Sequence, residues 1–315
     1  MSTFKIITFD GGGILGVVGL KLLERLNKEL HGAVLAGVDM YAGTSVGSLT
    51  AASLAIGVKP WELLLLYETN AIRALFLPYP AKPGQQRGID TPLYFDPLAW
   101  FENHLGKHIR VDIPLSDVKT RLLIVSLELE NQETGSWQPV FFNNFPNSPT
   151  ASTPLLSAVL SSSSAPIFYP SFQGHIDGWT VANNPCTAAL STALDVAGGG
   201  HELKDVRMLS FGIGDPKQGL AGSALAWGSQ QWLTQNDTPS LMTNPPLLGL
   251  LASQSSTVNS MYCQQLLGED RFLRLNPVLD QVVRMDDDKA IPDLIKQVDA
   301  VDLDPYVAWI QQNWL

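Results

Sequence analysis

Between residues 4 and 56 the chain twice repeats one construction: a short run of apolar, strand-forming residues, a glycine turn, and a segment with helical spacing. Residues 4–9 read as a buried strand that ends at Asp10-Gly11-Gly12-Gly13. Residues 14–30 follow as a helix, with apolar side chains at 15, 18, 22, 23, 26 and 30 on one face. Residues 38–42 read as a second strand, which turns at Gly43-Thr44-Ser45-Val46-Gly47 into a helix of small residues through position 56. Parallel strands need long crossovers, and crossover helices cover the faces of the sheet. Two such units in succession therefore predict an α/β fold with a mostly parallel sheet.

The rest of the chain continues the pattern. Helices are expected at 60–74, 96–105, 154–160 and 183–196, the last stopping at Gly198-Gly199-Gly200. Strands are expected at 121–129, 137–142, 172–176, 206–212 and 271–275, with loops at 78–89 and 143–154. Beyond Pro216 the chain reads as mainly helical. No repeat, heptad pattern or long linker divides the 315 residues, so one domain over 1–315 is the simpler reading.

Charge and cysteine content remove several function classes. A net charge of −10 repels phosphates at long range, and no basic patch offsets it, so no nucleic-acid partner is expected. Cys186 and Cys263 are too few for a disulfide framework or a zinc cluster and read as small buried hydrophobes. Asp286-Asp287-Asp288 lacks the spacing of an EF-hand and reads as a cap for a helix beginning near Ile291. No metal or cofactor is expected. With no secretory-type leader and no apolar run of about 18 residues, the expected location is cytoplasmic.

Three short motifs carry chemistry. A serine within Gly43-x-Ser45-x-Gly47, between strand and helix, sits on a tight turn that presents its hydroxyl at a helix N-terminus, where negative charge is favoured. The same pattern also describes a glycine turn with a buried serine. Successive glycines in Asp10-Gly11-Gly12-Gly13-Ile14 can aim backbone N–H groups into one concavity, either an oxyanion hole or a phosphate cradle. Neither phosphate-loop glycine pattern opens the following helix. Asp177-Gly178-Trp179, before Asn183-Asn184-Pro185, places a carboxylate at a strand end, where it can serve a site or simply cap a turn.

Taken together and in this order, the motifs resemble the patatin-like phospholipase family. Ser163-Ser164-Ala165-Pro166-Ile167-Phe168-Tyr169-Pro170, Leu209-Ser210-Phe211-Gly212-Ile213-Gly214 and Arg274-Leu275-Asn276-Pro277 extend the likeness over about residues 6–277, leaving 278–315 as a helical C-terminal extension. The resemblance implies a patatin-like three-layer α/β/α sandwich and a Ser–Asp dyad with no catalytic histidine. Carried over by position, Ser45 is the nucleophile, Asp177 the general base, and the N–H groups of Gly11, Gly12 and Gly13 the oxyanion hole. Two positions depart from the family pattern: Leu15, where arginine is frequent, and Trp179, where glycine or alanine follows Asp-Gly. The implied activity is metal-independent hydrolysis of phospholipid or lysophospholipid acyl esters through an acyl-enzyme, with peripheral membrane contact. A general carboxylesterase, a transacylase, and a catalytically silent lipid- or nucleotide-binding module are the alternatives.

An exposed aspartate, with a reference pKa of about 3.9, is a weak base, so a working dyad needs a desolvated Asp177. A Ser–Asp–His order would instead recruit His201, whose place after a triple glycine reads as an exposed loop. His175 lies two residues before Asp177 and so on the same strand face. Apolar segments 74–80, 239–251 and 306–315 either pack on the core or meet lipid.

Overall fold

The computed structural model describes residues 3–69, 71–72, 113–166, 168–216, 226–233 and 246–315. The helix expected at 96–105, the loop at 78–89 and the apolar segment 74–80 lie outside the described residues, as does the first part of 239–251.

The central sheet joins β1 (Phe4–Phe9), β2 (Met40–Thr44), β3 (Arg121–Glu128), β4 (Gln138–Asn143), β5 (His175–Asp177), β6 (Val206–Phe211) and a later strand, β8 (Phe272–Leu275). Its order is β4-β3-β2-β1-β6-β8, with β5 pairing β3. Five strands run parallel, and β4 and β5 lie antiparallel to β3. Two-residue strands β7 (Asp215–Pro216) and β9 (Val278–Leu279) pair separately.

Strands buried on both faces become apolar at successive positions rather than at alternate ones. In β1, Ile7 and Phe9 enter one core while Phe4 and Ile6 enter another. The first core gathers α1 (Gly16–Glu29), α2 (Val46–Ala55), α3 (Pro60–Glu68) and α4 (Leu155–Ser163). After the short helix α5 (Trp179–Ala182), the second core is closed by α6 (Cys186–Leu194). Beyond α7 (Ser229–Leu233), Cys263 and Leu267 of the long helix α8 (Pro246–Leu267) join that second core. Two cores on opposite faces of one sheet make an α/β/α sandwich.

The C-terminal helices α9 (Ile291–Asp299) and α10 (Asp304–Asn313) are part of the first core, not an appendage. Arg25 on α1 donates from Nη1 to the carbonyls of Val298 and Val301, at 2.5 and 3.0 Å. Trp314 is buried, donates from its indole to the Val34 carbonyl at 3.0 Å, and lies under the Lys5 ammonium. Of the two readings for residues 306–315, packing on the core holds for Ile310 and Trp314, while Leu315 stays exposed.

Elements differ from expectation where turn chemistry intervenes. The strand expected at 172–176 is broken by a two-residue turn, because Gln173 and Gly174 both take positive φ, 49° and 79°, the backbone of a tight hairpin. Phe172 pairs back onto His175, and β5 starts there. Helix α6 starts only after Pro185, which lacks the N–H that would continue α5.

Replacing Trp314 with alanine removes a fully buried ring and its hydrogen bond. The Trp314→Ala variant is expected to lose about 3–5 kcal/mol, read as a lowered urea midpoint at unchanged slope.

Candidate active site

Strand β2 ends at Thr44, and the chain reverses into α2 through Ser45, whose φ of 54° and ψ of −128° are unfavourable for any residue with a side chain. The turn is packed too closely for side chains on either flank. A Cβ on Gly47 would fall 2.3 Å from the Phe9 carbonyl oxygen, and one on Gly43 2.1 Å from that of Gly47. The Ser45 backbone N–H donates to Ser162 Oγ at 2.8 Å, and Thr44 Oγ1 donates to the Ala182 carbonyl at 2.7 Å. These bonds hold the strained turn from outside.

Sheet register brings the aspartate to it. Strand β2 runs along one edge of β3 and stops with Thr44 opposite Val125. Strand β5 enters the same lane from the other direction and stops with Asp177 opposite Ser126, one step further along β3. The two strands therefore meet end to end. Ser45 Oγ donates to Asp177 Oδ2 at 2.6 Å, across 132 positions of sequence.

Asp177 is sealed from water. Its second carboxylate oxygen, Oδ1, accepts the Trp179 backbone N–H at 2.9 Å. Burial pushes its pKa up to about 7, and the hydrogen bonds from Ser45 and from the Trp179 amide only partly oppose that rise. The desolvation that the sequence left open is thus present. Trp179, one of the two departures from the family pattern, serves Asp177 through its backbone.

The glycine loop lies beside Ser45: a Cβ on Gly11 would come within 3.1 Å of Ser45 Cβ. The three glycines are not equivalent in their hydrogen bonding. The Gly11 N–H is committed to the Asn183 carbonyl at 3.0 Å, while Asn183 Nδ2 donates back to the Gly11 carbonyl at 3.1 Å. The N–H groups of Gly12 and Gly13 have no acceptor among the described residues. Gly13 has φ of 57°, and a Cβ there would collide with the Met285 carbonyl oxygen at 2.3 Å. Leu15, the other departure, is fully buried in the first core.

The histidines stand apart. His201 stacks on Phe4 at 3.8 Å between ring centroids, at the start of β1 and so at the far end from Asp10. His175 bonds the Gln173 carbonyl through Nδ1 at 2.9 Å and lies 5.4 Å from the Phe142 ring. His104 and His108 lie outside the described residues. Asp286 pairs with Arg284, and Asp287 accepts the Lys289 N–H, so this acidic run caps the turn before α9. Cys186 and Cys263 are buried and free. Among the described residues no helix is long and apolar enough to cross a membrane. Sequence reasoning assigned no role to Ser162 or Asn183; Asn183 stands in a motif it singled out, while Ser162 lies one residue before the motif that opens at Ser163.

Residues 7–190, which span β1 through α6 and include Ser45 and Asp177, match the family described as Patatin-like phospholipase. The chain belongs to the patatin-like phospholipase family. It is 30% identical over 331 residues to the Bacillus subtilis protein named "Putative sporulation hydrolase CotR", covering 100% of this chain and 99% of that one. It is likewise 30% identical over 329 residues to "Protein teg" of Priestia megaterium, covering 100% of both chains. A "cGAMP-activated phospholipase" of Vibrio cholerae is 29% identical over 250 residues, covering 70% of this chain and 67% of that one. As a patatin-like protein, the chain is a hydrolase of the lipid-acting class.

The raised Asp177 pKa has a stability consequence of definite sign. A carboxylate whose folded pKa, about 7, exceeds its unfolded value, about 3.8, stabilises the fold at low pH and loses that contribution as pH rises through 7. Asp177→Asn, which never ionises, is therefore expected to gain stability over wild type as pH rises from 4 to 7, by an amount on the order of 4 kcal/mol, with no further gain above. Urea unfolding of both proteins across that range checks it. A difference independent of pH would show that Asp177 titrates normally.

Proposed function

We propose that this patatin-like protein is a lipid acyl hydrolase in which Ser45 is the nucleophile and Asp177 its general base. The observation that carries this reading is the 2.6 Å hydrogen bond from Ser45 Oγ to Asp177 Oδ2 at a strained turn. The Ser45 hydroxyl proton passes to Oδ2 as Oγ bonds the ester carbonyl carbon. A carboxylate with a pKa near 7 is matched to accepting that proton at neutral pH, where an ordinary aspartate is not. Charge developing on the carbonyl oxygen is met by the N–H groups of Gly12 and Gly13, while Gly11, held by Asn183, keeps the loop in place. Asp177 then returns its proton to the departing alcohol, and water, activated by the same carboxylate, cleaves the acyl-enzyme.

Phospholipids or lysophospholipids are the proposed substrates, reached by peripheral contact with a membrane from the cytoplasm. Support comes from the family and from relatives named as phospholipases, in Vibrio cholerae and in Pseudomonas aeruginosa. No step in this mechanism requires a cation.

The test is hydrolysis of a fluorogenic phospholipid and of a short-chain ester in the presence of EDTA. Ser45→Ala and Asp177→Asn are each expected to lose about 10³-fold or more in kcat/KM, with His201→Ala unchanged. Wild-type kcat/KM is expected to rise with pH to a plateau above about 7, since only ionised Asp177 accepts the proton. Full activity in Ser45→Ala, or a folded wild type that cleaves neither substrate, would overturn the proposal. Preference for the short ester would redirect it to a general carboxylesterase.

A further inference from the structure

The glycine loop has no side chains with which to hold its own shape, so its geometry must be imposed by neighbours. The anchor is Asp10, the residue before the glycines. Its backbone N–H donates to the Phe211 carbonyl at 3.0 Å. Its carboxylate is gripped at both oxygens by Arg274, with Nη1 to Oδ1 at 2.8 Å and Nη2 to Oδ2 at 2.5 Å. Nη1 also donates to Ser210 Oγ at 2.8 Å. Arg274 sits on β8 opposite Ser210 of β6, so its guanidinium crosses β6 to reach the tip of β1.

The surrounding residues keep that path open. A Cβ on Gly212 would fall 2.7 Å from Arg274 Nη2 and 2.1 Å from Asn276 Oδ1, so a side chain there would push both groups out of place. Asn276 Oδ1 accepts the Gly214 N–H at 2.8 Å. Between those glycines, Ile213 backs the loop itself: a Cβ on Gly12 would meet Ile213 Cδ1 at 2.6 Å. Segments 211–214 and 274–277, two motifs without a role in the proposed chemistry, together form the wall behind the glycines.

A buried ion pair is a poor device for stability, because desolvating both charges offsets most of their attraction. Its two parallel hydrogen bonds fix direction instead. We infer that Arg274 is a positioning residue for acyl transfer: by locking Asp10, it sets where the Gly12 and Gly13 N–H groups point. This inference rests on the proposed roles of Ser45 and the glycine loop. It differs from a purely structural tie between β8 and β1 in what it alters, the transition state rather than substrate binding or Asp177.

The experiment compares wild type with Arg274→Lys, Arg274→Met, Ser210→Ala and the neighbouring control Arg271→Gln. Each is first checked for folding by a thermal melt, then assayed for kcat and KM across pH, and for the rate at which a fluorophosphonate labels Ser45. Lysine offers one point charge where arginine offers a fork, so Arg274→Lys is expected to lower kcat about 10-fold. Arg274→Met is expected to lower it on the order of 10²-fold, the scale of an ångström-sized misplacement. KM is expected to stay unchanged, labelling to slow by the same factor as kcat, and the pH midpoint to remain near 7, since Asp177 is untouched. Ser210→Ala gives a smaller fall in kcat, and Arg271→Gln, whose guanidinium bonds the Leu203 carbonyl and pairs with Asp270, away from the glycine loop, gives none. If Arg274→Met does not fold, Arg274→Lys and Ser210→Ala carry the test. A folded Arg274→Lys with wild-type kcat, a loss confined to KM, or a loss explained by a moved pH midpoint would overturn the inference while leaving the hydrolase reading intact. A wild type that neither turns over ester nor takes the label would overturn both.

Discussion

A carboxylate sealed from water, with a serine hydroxyl on one oxygen and a backbone amide on the other, is the interaction around which this molecule is arranged. Such a group is costly to ionise, and burial accordingly carries its pKa to about 7. Three features exist to produce it. The lane beside β3 is shared by two strands running toward each other, so that their ends meet. The end of α4 clamps the second strand, through Asp177 N–H on the Ser164 carbonyl and Gly178 N–H on that of Ser162. The turn after β2 presents Ser45 in a conformation that only close packing on both sides sustains.

The same economy of polar groups governs the glycine loop. Gly11 exchanges hydrogen bonds with Asn183, which ties the loop to the segment that follows Asp177. Asp10 ties it to β6 and β8 through Phe211, Ser210 and Arg274. Ser45, Asp177 and the glycine loop thus hang from one end of the sheet, each supported by a different neighbouring strand or helix. That arrangement explains why residues spread from Asp10 to Arg274 serve one site.

Most of the architecture was legible because α/β folds write their periodicity plainly. The strand at 4–9 matched to the residue, since a mostly apolar run buried on both faces ends at the turn that Asp10 and the following glycines make. Boundaries slipped where local turn chemistry overrode the apolar pattern, as at Gln173-Gly174, where a glutamine in a left-handed conformation gives no compositional warning. Core packing was the favoured reading for the apolar C-terminal segment and holds for Trp314 and Ile310, although an aromatic cluster near a chain end has the same composition whether it packs on a core or meets lipid.

The sequence by itself determined the fold class and singled out Ser45, Asp177 and the glycine loop as candidates, because each motif is written in residues adjacent in the chain: a strand, a glycine, a reactive side chain, a helix. Only the tertiary structure decided which glycine N–H groups are free, how far Asp177 is desolvated, and that Arg274 reaches Asp10. Those properties belong to pairs of groups brought together from distant parts of the chain, and a hydrogen bond or a lost hydration shell leaves no mark on the local pattern of either partner.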